Sequence, residues 1–260
     1  MEFYTLASGS SGNCTLVRAG GAVLLFDAGI SCRRIERSLR TLGLTLSDLT
    51  AVFLTHEHAD HTGGLATLCK KCSAPIYASR GMTHLLTCPA VPFTAGGAVT
   101  LGACTVRSFS TSHDAIDPVG YRVDGPDGSF GLLTDTGYVT DAAAETLDGV
   151  DLLLLEANHD METLQYGPYP YFLKRRILGD EGHLSNDAAA AFALRAAERG
   201  TRDILLAHLS QENNTPEMAE YAVARALQAA GRTVRLGVAP RDTTSEVHLC
   251  KKSPSFASES

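Results

Sequence analysis

Four short apolar runs in this chain end directly in an aspartate or a histidine. The runs are LLFDAG, AVFLTHEH, LLTDTG and LLAHLS, and the polar residues at their ends are Asp27, His56, Asp135 and His208. Continuous apolar runs of this length are typical of buried strands, and a sheet gathers the polar groups that follow its strands along one open edge. Strands dominate the first third of the chain, and helices alternate with strands later. The order predicts a layered α/β fold with a polar cluster at one edge.

The same pattern of apolar runs and turn residues predicts the main strands and helices and a single domain. Strands are expected in FYTLAS, CTLVRAG and GAVLLFDAG, and a helix over residues 31–42. Later helices are expected over residues 186–199, with Asn186 as the N-cap, and over residues 216–231, opened by Pro216. Residues 1–250 are assigned to a single domain, and residues 251–260 to a polar, disordered tail.

Composition limits the function classes. With 44% apolar and 20% charged residues, the chain is globular rather than disordered, coiled-coil or collagenous. No apolar run approaches the length of a membrane span and no secretory signal begins the sequence, so a cytoplasmic protein without a membrane partner is expected. The formal charge is −7, from 22 basic and 29 acidic residues, so a phosphate-bearing partner has to be held locally.

The seven cysteines are expected to be reduced thiols, since nothing indicates an oxidising compartment. Cys69 and Cys72 have the spacing of half a structural zinc site in CKKC, but no second pair completes it. Partly buried thiols are the preferred interpretation.

THEHADH, residues 55–61, is the strongest chemical signal in the chain. It offers His56, His58, Asp60 and His61 directly after a buried strand. Residues two apart on an extended segment face the same way, so His56 and His58 can bind one metal ion together. Asp60 and His61, beyond the bend, are placed for a second ion. Imidazole and carboxylate ligands suit Zn²⁺, Mn²⁺ or Fe²⁺; the alternative is a solvated loop.

This string resembles the HxHxDH signature of the metallo-β-lactamase superfamily. The resemblance implies a four-layer αβ/βα sandwich with two divalent metal ions at its edge. By the same resemblance, His113 in STSHDA is a ligand of the first ion, Asp135 bridges both ions and His208 is a ligand of the second. Asp27 supports the site without binding metal. Taken singly, each residue could equally open a turn or be a hydrogen-bonded core residue.

Three further strings are similar to nucleases of this superfamily. ASGSSGN, LLLLEANHD and EGHLSN, together with HLSQENN, resemble the YycJ/WalJ-type single-domain nucleases, which are related to RNase Z. The resemblance implies a phosphodiesterase acting on nucleic acid, with a DNA exonuclease favoured. The chain lacks the β-CASP insertion and the long arm that hold RNA in related enzymes, so DNA is preferred to RNA. A homodimer is compatible with the family.

The expected mechanism assigns catalytic roles to Asp60 and His183. A hydroxide bridging the two metal ions, oriented by Asp60, attacks phosphorus, and His183 in EGHLSN donates a proton to the leaving oxygen. The other interpretation of His183 is a histidine at a helix start. A small-molecule hydrolase acting on a cyclic phosphodiester, lactone or thioester, and a metal-bound sensor without turnover, are the competing functions.

Substrate contacts are expected from two segments. The small-residue loop Ala7–Asn13 brings Ser10 and Asn13 near an anion. PYPYFLKRR, residues 168–176, interleaves aromatic residues with Lys174, Arg175 and Arg176, an arrangement that suits single-stranded nucleic acid. A helix with inward aromatics and solvated charges explains the second segment equally well.

Overall fold

Two seven-stranded sheets pack face to face, with helices on both outer faces. The structure is a computed structural model that describes residues 1–250, so the predicted tail 251–260 lies outside the described residues. The first sheet holds six strands from the first part of the chain and one from its end: β1 (Glu2–Ala7), β2 (Cys14–Ala19), β3 (Ala22–Phe26), β4 (Ala51–Phe53), β5 (Ile76–Ala78), β6 (Val91–Pro92) and β14 (His248–Leu249), which lies beside β1.

The second sheet follows the chain from one edge to the other. Its strands are β7 (Ala98–Leu101), β8 (Cys104–Ser110), β9 (Val119–Gly125), β10 (Gly128–Leu133), β11 (Leu152–Glu156), β12 (Asp203–Ala207) and β13 (Arg235–Val238). Strands β7 to β10 are antiparallel and β10 to β13 are parallel. The first sheet repeats this order, because β1 to β3 are antiparallel and β3 to β6 are parallel. Each sheet thus has a parallel half whose strands end at one edge.

Eight α-helices cover the sheets or carry the loops: α1 (Cys32–Thr41), α2 (Ala59–Thr62), α3 (Leu65–Lys71), α4 (Asp141–Thr146), α5 (Met161–Tyr166), α6 (Tyr171–Ile177), α7 (Asn186–Glu198) and α8 (Pro216–Ala229), as described within residues 1–250. The prediction that Asn186 caps α7 is wrong. Ser185 is the N-cap, with extended backbone and a side chain that accepts from the Ala188 N–H, whereas Asn186 is the first helical residue and its side chain bonds to Asn214.

Three apolar layers hold the four structural layers together. The central one lies between the sheets and includes Phe26, Phe53 and Phe130. A second packs α1 and α3 against the first sheet through residues such as Ile35 and Leu68, and a third packs α4, α7 and α8 against the second sheet. Alternate strand residues face opposite layers, which is why strands buried on both faces read as continuous apolar runs. The predicted αβ/βα sandwich is confirmed.

The cysteines differ from expectation at one place. Cys69 and Cys88 form a disulfide, so the prediction that all seven are reduced thiols is wrong for this pair. Cys14, Cys32, Cys72, Cys104 and Cys250 are free. Spacing within the sequence pointed to Cys72 as the neighbour of Cys69, but at the end of α3 the Cys72 thiol instead donates to the Leu46 carbonyl. Among residues 1–250, no helix has the length and apolar character needed to cross a membrane.

Candidate active site

The loops that follow the parallel strands place the predicted site residues at one edge of the sandwich. Asp27 follows β3, Asp135 follows β10 and His208 follows β12. All three have left-handed backbone, with φ of 61°, 56° and 56° respectively. Residues other than glycine adopt this conformation at a cost of about 1–3 kcal/mol and do so mostly at functional sites. The strand ends are therefore bent sharply to aim these side chains into a shared cleft.

Asp27 fixes the orientation of the histidine-rich loop. Its Oδ1 accepts from the Thr55 backbone N–H at 2.8 Å, and its Oδ2 lies 2.8 Å from Nδ1 of His61. Because an ionised carboxylate accepts only, Nδ1 of His61 carries a proton, and Nε2 is the nitrogen that faces the other candidate ligands. The Thr55 hydroxyl donates to Asp27 and accepts from Nδ1 of His56 at 3.0 Å, which orients that ring in the same way.

His56, His58 and His113 form the first group of candidate ligands. Nε2 of His56 and Nδ1 of His58 lie 3.1 Å apart, close enough for both lone pairs to meet at one ion. His113 reaches them from the loop after β8, and its Nδ1 donates to the Gly182 carbonyl at 3.1 Å, which leaves Nε2 free. Burial lowers the pKa of His56 and that of His113, and neighbouring histidines lower them further. Both rings are therefore neutral and ready to bind a cation.

Asp60, His61 and His208 form the second group. Oδ2 of Asp60 lies 3.4 Å from Nε2 of His61 and 3.4 Å from Nε2 of His208. Burial by itself raises the pKa of Asp60, but hydrogen bonds from His208 and His61 outweigh it and hold the pKa well below its usual range. Burial likewise opposes the charge on His208, yet Asp135, Asp60 and Glu156 raise its pKa to about 10. The carboxylates in this group therefore strongly favour a positive charge beside them.

Asp135 lies between the two groups. Its Oδ2 is 3.3 Å from Nε2 of His61, and its Oδ1 is 3.9 Å from Nε2 of His113. Oδ2 is buried and has no hydrogen-bond partner, an arrangement that costs free energy unless a cation compensates. An orphaned carboxylate oxygen surrounded by imidazole nitrogens fits divalent ions such as Zn²⁺, Mn²⁺ or Fe²⁺.

Glu156 is the site residue that sequence reasoning missed. It ends β11, is fully buried, and its Oε1 accepts from Nδ1 of His183 at 2.8 Å and from Nδ1 of His208 at 3.0 Å. Burial raises the pKa of Glu156, but His183 and His208 outweigh burial and lower it below its usual range, so the group is ionised. The signal was present as the glutamate of LLLLEANHD, which ends an apolar run just as Asp135 does.

His183 lies beside the second group with its side chain 19% exposed. Because Nδ1 donates to Glu156, Nε2 is the nitrogen left for other partners. The structure thus places His183 beside the second group of candidate ligands, and its catalytic role stays a prediction. His183 precedes the N-cap Ser185 by two residues, so the helix-start interpretation does not account for its contact with Glu156.

The loop Ala7–Asn13 contacts the site through Asn13. The Asn13 backbone N–H donates to the Asp60 carbonyl at 2.7 Å, and its Nδ2 lies 3.1 Å from Nε2 of His61 and 3.3 Å from Oδ2 of Asp60. Ser10 is exposed at the tip of the same loop. The structure thus places Asn13 among the ligand atoms and Ser10 outside them; substrate contact by either residue stays a prediction.

Helix α6 carries the three predicted substrate cations, and two of them have partners in the protein. Nζ of Lys174 donates to the carbonyls of Gln165 and Gly167 at 2.9 and 2.7 Å. Nε of Arg176 donates to Asp114, the neighbour of His113, at 2.5 Å. Arg175 has no hydrogen bond or ion pair within residues 1–250. Tyr171 and Phe172 are 76% and 73% exposed, which contradicts inward packing of these aromatics.

Comparisons with known proteins agree on one group. Residues 23–209 match the model of the β-lactamase superfamily domain. The chain is 38% identical over 239 residues to the exodeoxyribonuclease YycJ of Bacillus anthracis, covering 89% of this chain and 90% of that protein. It is also 38% identical over 253 residues to the exodeoxyribonuclease WalJ of Streptococcus pneumoniae strain D39, covering 94% of each.

Solved structures share the fold at low identity. The metallo-β-lactamase fold protein YhfI of Bacillus subtilis superposes with a TM-score of 0.72 at 18% identity, covering 94% of this chain and 98% of that one. The short form of human tRNase Z superposes with a TM-score of 0.68 at 18% identity, covering 96% and 100%. These matches show the sandwich architecture.

Proposed function

Because the chain belongs to the β-lactamase superfamily, and within it to the group of YycJ and WalJ exodeoxyribonucleases, we propose that it is a metal-dependent DNA exonuclease. The observation that carries the proposal is the pair of ligand groups on either side of Asp135, with His183 beside them. This arrangement suits hydrolysis of a phosphodiester, and the preference for the end of a DNA strand comes from the two exodeoxyribonuclease relatives.

We propose that His56, His58 and His113 hold one divalent ion, that Asp60, His61 and His208 hold a second, and that Asp135 contacts both. When bound there, Zn²⁺, Mn²⁺ or Fe²⁺ lowers the pKa of water and neutralises phosphate oxygens. Asp27 supports the site through His61 and Thr55. Nucleic acid is the proposed partner, with DNA preferred to RNA because both close relatives are named exodeoxyribonucleases. One domain over residues 1–250 and pairing into a homodimer stay predictions.

Asp60 and His183 are the proposed catalytic residues. Asp60 is ionised, since its pKa lies below the usual range, and it accepts a hydrogen bond from the attacking water. His183 is held by Glu156 through Nδ1 and presents Nε2 to the leaving oxygen; with a proton on both ring nitrogens it donates the Nε2 proton to that oxygen and becomes the neutral ring. Glu156 accompanies this transfer as a fixed negative charge at 2.8 Å.

The primary test is digestion of end-labelled single-stranded DNA, double-stranded DNA and RNA with Mn²⁺ or Zn²⁺. We expect stepwise shortening of DNA from one end, reduced at least about 100-fold by Asp60→Ala. Asp187→Asn is the matched control, because Asp187 is an exposed carboxylate in the first turn of α7. Its activity is expected to equal that of the wild type.

A small-molecule phosphodiesterase is the second candidate function. The ion pair of Arg176 with Asp114 favours it, since this pairing leaves less positive charge on α6 for a polymer. If no polymer is cleaved but bis-(p-nitrophenyl) phosphate is hydrolysed, the exonuclease proposal is wrong and this function takes its place.

The role of His183 is tested by the dependence on leaving group. His183→Ala is expected to slow DNA cleavage by about 10²- to 10⁴-fold, because the leaving sugar oxygen needs a proton. Hydrolysis of bis-(p-nitrophenyl) phosphate is expected to fall much less, since p-nitrophenolate leaves without one. Equal losses on both substrates would contradict proton donation.

A further inference from the structure

The outer face of α1 forms a basic groove that the proposed chemistry does not use. A cavity of about 720 Å³ lies along this helix. The charged residues that line it are Arg33, Arg34, Arg37, Arg40 and Lys71, with Glu36 as the acidic member. A second cavity of about 410 Å³ shares Glu36, Arg40 and Lys71 and extends to Thr45 and Ser47. In a chain of net charge −7, five cations around one cavity are a strong local concentration of positive charge.

Three of these arginines are unpaired. Arg33, Arg37 and Arg40 are exposed, and their guanidinium groups make no hydrogen bond or ion pair within the described part of the chain. The remaining charges largely satisfy one another. Lys71 donates to both carboxylate oxygens of Glu36 at 3.1 and 3.3 Å, and Arg34 pairs with Asp242 at 3.3 Å.

The unpaired arginines lie on one face of the helix. Positions 33, 37 and 40 are separated by four and three residues, the spacing that brings helical side chains into a row. The opposite face, with Ile35 and Leu39, is buried against the first sheet. At a rise of about 1.5 Å per residue the row is about 10 Å long, which equals about three phosphate-to-phosphate steps of about 3.4 Å along one strand of duplex DNA.

A short stretch of backbone connects the amino-terminal end of the groove to the candidate active site. The Asn13 backbone N–H donates to the Asp60 carbonyl, and the Gly29 N–H donates to the Asn13 carbonyl at 2.9 Å. Ser31, two residues later, is the N-cap of α1 and lines the groove. The row of arginines therefore starts four residues after Gly29, whose neighbour Asn13 contacts Asp60, and it extends away from that point towards Arg40.

We propose that the α1 groove binds the phosphate backbone of the DNA strand beyond the nucleotide being cleaved. This inference rests on the proposed exonuclease function and names the path of its substrate. A solvated amphipathic helix explains the exposed charges but not the convergence of five cations on one cavity, whose residue Ser31 follows Gly29 by two positions. The groove contacts phosphates rather than bases, so it contributes affinity that depends on salt and not on sequence.

The test combines Arg33→Gln, Arg37→Gln and Arg40→Gln, which keep helix-forming side chains and remove three charges. The kcat/KM for a labelled 20-nucleotide single strand is measured between 50 and 200 mM salt. The slope of log kcat/KM against log salt is expected to become shallower by about 2 in the variant. The ratio of the wild-type kcat/KM to that of the variant is therefore expected to fall by about 20-fold between 50 and 200 mM salt. Hydrolysis of bis-(p-nitrophenyl) phosphate, which is too short to reach the groove, is expected to stay at the wild-type rate.

The matched control combines Arg195→Gln, Arg225→Gln and Arg232→Gln, which remove three exposed charges from α7, from α8 and after α8. Its salt slope is expected to equal that of the wild type. A wild-type slope in the α1 variant, or the same change in both variants, overturns the proposal. If the wild type cleaves no polymer, the exonuclease function fails. Fluorescence anisotropy then measures binding of the labelled strand to the wild type and to both variants, which tests the groove independently of cleavage. Unchanged binding by the α1 variant overturns the groove proposal.

Discussion

Replacing Glu156 by glutamine tests how the second ligand group is oriented. Oε1 of Glu156 accepts from the rings of His183 and His208, at 2.8 and 3.0 Å, and Oε2 accepts from the backbone N–H groups of Thr136 and Leu184, both at 3.1 Å. Glutamine has the same shape but one acceptor oxygen and one NH₂ group. Whichever way the amide is turned, the NH₂ group faces two donors.

The two orientations of the amide differ in cost. Facing the backbone, the NH₂ group replaces two hydrogen bonds to a charged acceptor, each worth about 1.5–3 kcal/mol, for a loss of about 3–6 kcal/mol. Facing the imidazoles, it can be accommodated if His183 and His208 both carry their proton on Nε2 alone, which in His208 is the nitrogen 3.4 Å from Asp60. We expect this second arrangement. It limits the loss in free energy of unfolding to about 1–3 kcal/mol but removes the lone pair that a metal ion needs.

The expected result is a loss in metal affinity of about 10- to 100-fold, measured by competition with a chromophoric chelator. Urea unfolding of the metal-free protein gives the accompanying stability change. Glu162→Gln is the control, because Glu162 is exposed on α5. A metal affinity within about threefold of the wild type for Glu156→Gln would refute the argument from the hydrogen-bond network.

Two other changes test the site's backbone and its buried histidine. Gly29→Ala is expected to abolish metal binding, because a Cβ there would lie 1.7 Å from the Asp60 carbonyl oxygen; isothermal titration with Zn²⁺ checks this, with Gly237→Ala as a control whose Cβ has ordinary contacts. Burial lowers the pKa of His159 to about 4, so the unfolded chain takes up a proton below pH 6.5 that the folded chain refuses. The free energy of unfolding is therefore expected to fall by about 3 kcal/mol between pH 6.5 and 4. Urea unfolding of His159→Gln should lack this fall in stability between pH 6.5 and 4, whereas His84→Gln should keep it, because His84 is exposed. Equal pH profiles of the free energy of unfolding for the two variants would contradict the assignment to His159.

The sequence predicted what depends on residues close together in the chain or at strand ends. The string Thr55–His61 gave four candidate ligands, because a short loop after a buried strand leaves few directions for its side chains. Asp27, Asp135 and His208 followed from apolar runs that stop at a polar residue. Glu156 obeys the same rule and was still missed as a site residue, because its role depends on two histidines that come 27 and 52 residues later.

Contacts between distant surface residues could not be predicted. Arg176 and Asp114 are separated by 62 residues, and only the packing of α6 beside the His113 loop brings them together. The disulfide of Cys69 with Cys88 depends in the same way on the path of the chain around β5. The cap of α7 was misplaced by one residue because Ser185 and Asn186 are both good N-caps, and the side chain of Asn186 is instead required by Asn214.

The ligand groups draw side chains from both sheets, and this has a consequence for how the molecule comes apart. Asp60 and His208, whose side chains meet in the second group, are 148 residues apart in the chain. An ion bound by both residues would link the two halves of the sandwich across their open edge. Such a link stabilises the folded state, because the ion binds only when both residues are in place. It also holds together the two ends of the long stretch of chain between Asp60 and His208. Chelation should therefore weaken the contact between the two halves as well as end turnover, and the free energy of unfolding should fall when the metal is removed.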